Sequence, residues 1–257
     1  MTMLIMLLAT VLDRVAALPR SWVSTTACAW GQFCCRRLGQ SPRLQAMLVL
    51  IPPVLVLAAM ISLLSSLHPL WGGLASLLVV WLCLDFGALG QQVHDRLTAL
   101  AGGLPSSEGQ ALLGRIPARA LDAVVGVGVW FLLLGPAGVL LFRLLAIYAE
   151  ELGGENLGAI ARRLYGLMAW LPAQVMLMGY AIVGRFDETR DAWRHHPVQG
   201  FEVNASLLRT VACAAQGCAD GQPDSVENLQ SAWRLIWRQA VFLITIAAVL
   251  TLLGVLD

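Results

Sequence analysis

Residues 46–67 form an apolar run with no Asp, Glu, Lys or Arg in it. A stretch of about 20 such residues is long enough, as a helix, to cross the hydrocarbon core of a bilayer. Comparable runs recur at 70–89, 122–147, 164–184 and 239–256, with a shorter one at 2–18 that ends on Asp13 and Arg14. Of the 257 residues, 58% are hydrophobic and only 13% charged. An ordinary soluble domain carries about 25% charged residues, so too few polar side chains exist to clothe a water-facing surface. Backbone groups inside lipid must be satisfied within the segment, which favours helices. The expected fold is all-α, a polytopic membrane bundle of five or six transmembrane helices forming one integral domain over 1–257. The first run lacks a basic leader and a small-residue cleavage site, so it reads as a retained helix.

Several runs carry helix breakers. Pro52-Pro53, Gly135-Pro136-Ala137-Gly138 and Pro172 predict kinked or interrupted helices. Leu67-His68-Pro69 is too short for anything but a helical hairpin. The polar connections at 19–45, 90–121 and 185–238 hold most of the arginines, and the positive-inside bias assigns them to the cytoplasm. Within the first, Trp22, Trp30 and Phe33 beside Arg36-Arg37 fit an interfacial amphipathic helix. In the last, Val203, Leu207, Leu208, Val211 and Ala215 recur at helical spacing, and Gly217 to Asp224 read as a loop.

Net charge is +1, so nothing draws the chain to nucleic acid. No Walker A, G-x-S-x-G or H-E-x-x-H pattern occurs. Gly126-Val127-Gly128 lies in an apolar helix and serves close packing rather than a dinucleotide. The six cysteines form no metal-ligand spacing; Cys83 reads as a small core residue, and Cys213 with Cys218 as a weak candidate disulfide. No catalytic residue, metal ligand set or cofactor emerges. Charges within apolar runs carry more information, since each costs about 2.5–3.5 kcal/mol at a helix centre. Arg143 is the clearest and Asp85 the next. Arg143 is expected to pair with Glu150 or Glu151 along its own helix. With Arg162 and Arg163 these residues outline a polar pocket for an anionic or nucleotide-like small ligand, or for a membrane or cytoplasmic protein partner. His195 and His196 are further candidates for this pocket; adjacent histidines suit a metal, but a loop beside the membrane is the stronger reading.

The run Trp130-Phe131-Leu132-Leu133-Leu134-Gly135-Pro136-Ala137-Gly138 through Phe142-Arg143-Leu144 resembles a motif of the AmpE family. Trp170-Leu171-Pro172-Ala173, Gly179-Tyr180-Ala181 and the early Asp13-Arg14 agree with that family. AmpE proteins share a superfamily with CbiB/CobD, the adenosylcobinamide-phosphate synthases. The resemblance implies a multi-pass protein of a Gram-negative inner membrane, tied to cell-wall recycling and β-lactamase induction, with a regulatory and non-enzymatic role. Where the synthase branch has paired acids before the proline helix, this chain has Tyr165-Gly166, so the Mg²⁺-holding carboxylates are expected to be gone. A divergent CbiB/CobD-like amide ligase is the alternative. A small-molecule transporter with discontinuous helices is a second one, although no inverted repeat is visible.

Overall fold

The computed structural model describes residues 2–15, 21–37, 42–102, 109–151, 156–195, 205–217 and 225–253. Every element among them is helical: α1 (Thr2–Val15), α2 (Ser21–Arg37), α3 (Pro42–Leu67), α4 (Pro69–Cys83), α5 (Phe86–Ala101), α6 (Gly109–Ala120), α7 (Gly126–Glu151), α8 (Asn156–Val183), α9 (Phe186–His195), α10 (Ala205–Gln216) and α11 (Val226–Leu252). Among the described residues, five stretches are long and apolar enough to cross a membrane: Ala46–Leu67, Leu70–Ala101, Arg115–Glu151, Leu157–Val183 and Val226–Leu252. The chain is therefore built as a multi-pass membrane protein. The 2–18 run is not among the five. Its α1 has 14 residues, about 21 Å at 1.5 Å per residue, and it buries Ile5, Met6 and Ala9 in the core.

The α3–α4 hairpin closes at His68, whose Nδ1 accepts the Leu70 N–H, with Pro69 opening α4 where no donor is needed. Pro52 and Pro53 stay within α3, and Pro172 within α8, without ending either helix. α10 places Leu207, Leu208, Val211 and Ala215 in the core, as their spacing predicts, while Val203 and 218–224 lie outside the described residues. The connections at 90–121 and 185–238 are far more helical than expected. α5 continues to Ala101, α6 starts at Gly109, and α11 starts at Val226.

Three local breaks shape the centre. After Cys83 the backbone turns extended at Leu84 (φ −74, ψ 126), and α5 starts with Asp85 as its N-cap residue. The 70–89 run is thus two helices meeting at a charged residue. Opposite it, Leu121–Val125 forms a π-helical turn between α6 and α7. The Ala123 carbonyl there accepts the Asp85 N–H at 3.4 Å, so the two irregularities satisfy each other.

The third break is the deepest. Gly135 has φ 66 and ψ −158, open to glycine and strained for any other residue. Along a straight helix, residues 126 and 142 would stand about 24 Å apart. Instead, a Cβ at Gly126 would come 2.2 Å from the Phe142 ring. α7 is therefore two limbs, 126–134 and 136–151, folded against each other at Gly135-Pro136. A single straight crossing from Arg115 to Glu151 is excluded, and the stretch is a helical hairpin. Gly126 provides the close packing expected of it, by admitting the Phe142 ring.

Candidate functional site

The fold-back sets 146–150 of the second limb opposite 115–122, and the start of α8 makes a third wall. Between them lies a cavity of about 890 Å³. One wall presents Arg115, Ala118, Arg119 and Asp122, spaced 3, 4 and 7 apart on one helical face. The second limb contributes Ala146, Ala149 and Glu150. α8 contributes Ala159, Arg162, Arg163, Tyr165 and Gly166. Alanine and glycine at the positions between the charges leave the space that larger side chains would fill.

The floor is fixed by polar bonds. Tyr165 donates its hydroxyl to Asp122 Oδ1 across the gap between α8 and the π-helical turn, and Phe142 stacks on the Tyr165 ring at 5.8 Å. Arg119 Nη1 donates to Gln92 Oε1 of α5 at 2.8 Å. Among the described residues, Arg115, Arg162, Arg163 and Glu150 make no hydrogen bond or ion pair. Four guanidiniums and two carboxylates thus face one cavity, an excess of two positive charges. Guanidinium forks match phosphate and carboxylate oxygens bidentately. An arrangement of this kind can hold a multiply charged anion.

Arg143 behaves otherwise. Its Nη2 donates to Asp85 Oδ2 at 3.0 Å, both side chains being partly covered. This corrects the expectation of a partner within its own helix. Glu150 and Glu151 lie seven and eight residues on, about 10–12 Å along the axis, whereas the break at Asp85 brings a carboxylate to hand. Asp85 marks a helix junction, as the N-cap residue of α5. Asp13 completes the junction: buried at 1% exposure, it accepts the Gly87 N–H at 2.6 Å and so caps α5 from α1.

Glu151 points elsewhere as well, accepting the Cys28 thiol of α2 at 2.6 Å. Burial first, then the bond to Glu151 and its charge, push the Cys28 thiol up to about 12. Tyr148 donates to the Ala27 carbonyl at 3.0 Å, and Trp30 Nε1 to that of Val49 at 3.3 Å. α2 is thereby docked on α3 and α7, with Trp30 and Phe33 turned outward. His195, exposed at the end of α9, donates to the Asp191 carbonyl at 2.8 Å and does not line the cavity. His196 lies outside the described residues, as does Cys218; Cys213 is buried and forms no disulfide among the described residues.

Of the residues expected in one pocket, the structure brings Glu150, Arg162 and Arg163 together and leaves Arg143, Glu151 and His195 out. Sequence reasoning missed Arg115, Arg119 and Asp122, although their helical spacing is visible. It also expected the carboxylates lost at Tyr165-Gly166; Asp122 and Glu150 enter the same cavity from other helices. Among the described residues no group of three or more His, Cys, Asp or Glu stands close enough to hold a metal ion. A smaller cavity of about 410 Å³ between α5 and α11 is walled by Phe86, Trp233 and Trp237 and has no Arg, Asp or Glu in it.

No family model and no solved structure matches the chain. It is similar to the cobalamin biosynthesis protein CobD of Stutzerimonas stutzeri (strain A1501), with 25% identity over 194 residues. The matched region covers 66% of this chain and 63% of that relative, so the match spans less than two thirds of the relative's length.

Proposed function

We propose that this protein binds a phosphate-bearing anion in its arginine-lined cavity, on a scaffold like that of the CobD relative. The observation that carries the proposal is the convergence of Arg115, Arg119, Arg162 and Arg163 on one space, three of them without a partner among the described residues. These side chains are exposed, so their guanidinium donors stay available to a ligand. The ligand serves a regulatory, non-enzymatic role of the kind the AmpE resemblance implies, in cell-wall recycling and β-lactamase induction. The host is then a Gram-negative inner membrane, with the connections at 19–45 and 90–121 in the cytoplasm and α2 at the headgroup level; the fold-back at Gly135 puts 185–238 on the opposite side, against the expectation from its arginines.

Isothermal titration of the detergent-solubilised protein with pyrophosphate and with nucleotides tests the binding. Saturable binding lost in Arg162→Gln/Arg163→Gln supports the proposal, and absence of any binding to the unaltered protein would overturn it.

A second reading, a CobD-like amide ligase, is favoured by Asp122 and Glu150 in the cavity. Two carboxylates suit a Mg²⁺ that keeps waters and substrate phosphates as its other ligands. Rescue of a cobalamin auxotroph lacking its CobD would establish that reading; a change in β-lactamase reporter induction without rescue supports the regulatory one.

A further inference from the structure

A phosphate can reach the cavity from water or from the bilayer, and the outer face of α8 bears on which. Leu164, Leu167, Met178 and Ile182 are 37%, 52%, 54% and 63% exposed. At 100° per residue they lie within about 60° of one another around the helix. They form a single apolar stripe along most of a candidate membrane span. Arg163 stands four residues before Leu167, directly beyond one end of the stripe, and it also lines the cavity. An acyl chain lying along the stripe therefore delivers its headgroup to Arg163.

The charges are arranged in two pairs, Arg115 with Arg119 on α6 and Arg162 with Arg163 on α8. Asp122 and Glu150 reduce their sum to two positive charges, which two phosphodiesters would neutralise. Basic pockets between transmembrane helices are a known setting for such headgroups. We infer that the cavity takes the headgroup of a diphosphatidyl lipid of the cardiolipin type, one phosphate on each arginine pair. This rests on reading the cavity as a phosphate site and names the bilayer as the source.

The test is native mass spectrometry of the delipidated full chain, offered cardiolipin, phosphatidylglycerol or inorganic pyrophosphate. One cardiolipin per chain is expected, preferred at least tenfold over phosphatidylglycerol and displaced by pyrophosphate. Arg115→Gln/Arg119→Gln and Arg162→Gln/Arg163→Gln each abolish that preference. Arg185→Gln, at a surface pair with Glu188, leaves it intact. The preference in the unaltered protein needs no variant to fold. If pyrophosphate binds through these arginines but cardiolipin binds no better than phosphatidylglycerol, the lipid is the wrong ligand and the phosphate site stands. Cardiolipin adducts that survive both double variants also overturn the inference. If neither cardiolipin nor pyrophosphate binds, the phosphate site falls with it.

Discussion

Arg143 and Arg162 are both arginines in apolar helices, yet the fold treats them in opposite ways. Arg143 meets a carboxylate at 3.0 Å where one helix breaks opposite another, and Asp13 and the Ala123 carbonyl satisfy the backbone donors beside it. Arg162 points with Arg163 and Arg115 into an open cavity and has no partner there among the described residues. Burying a charge costs free energy that a partner offsets. The Arg143 site recovers that cost internally and belongs to the architecture. The cavity arginines are exposed and bear no such cost, and their guanidiniums stay open to a ligand.

The largest effect that sharpens this contrast is at Arg143. Removing one partner of a buried pair costs about 3–5 kcal/mol; with both side chains partly exposed, Arg143→Ala should lose about 2 kcal/mol of unfolding stability in detergent while pyrophosphate affinity stays within threefold. A double-mutant cycle with Asp85→Asn should recover part of that loss, because no charge is then stranded. Additive losses would break the structural account of Arg143.

Gly135→Ala comes next. No atom lies within 4 Å of the added Cβ, so the cost is backbone strain alone, about 1–3 kcal/mol. It should open the hairpin and weaken ligand binding together, since the fold-back forms one cavity wall. An Ala variant that kept both stability and binding would argue against the hairpin as the source of the site.

Tyr165→Phe removes one hydrogen bond to Asp122 and should cost about 1 kcal/mol, seen as a small drop in thermal midpoint. The smallest effect is at Cys28. Its thiol holds its proton up to about pH 12, so maleimide labelling at pH 8 in the folded protein should be far slower than for a free cysteine of ordinary acidity. Above about pH 9 the unfolded chain releases this proton and the folded one does not, which disfavours folding. Fast labelling would show that α2 does not stay docked on Glu151.

Much of the fold was legible because spanning helices announce themselves by length and composition. The run at 46–67 and the hairpin at His68 needed nothing else. Gly135-Pro136 was readable as an interruption, but a local break does not say by how much the chain turns; the contact between Gly126 and Phe142 does. The polar pocket is half legible for a related reason. Arg162, Arg163 and Glu150 are close in sequence as well as in space. Arg115, Arg119 and Asp122 reach them only through the fold-back, and Asp85 reaches Arg143 only through two helix breaks. Pairings made by tertiary geometry leave no mark on spacing, so Arg143 was matched to the nearest acids along its own helix.

The contrast between paired and unpaired arginines is tested most directly by measuring both stability and pyrophosphate affinity for Arg162→Gln/Arg163→Gln. A charge-assisted bond contributes about 1.5–3 kcal/mol, so loss of two should weaken binding about a hundredfold or more. Unfolding stability should hold or rise as like charges are removed. Unchanged affinity, or a stability loss as large as that of Arg143→Ala, would contradict the account.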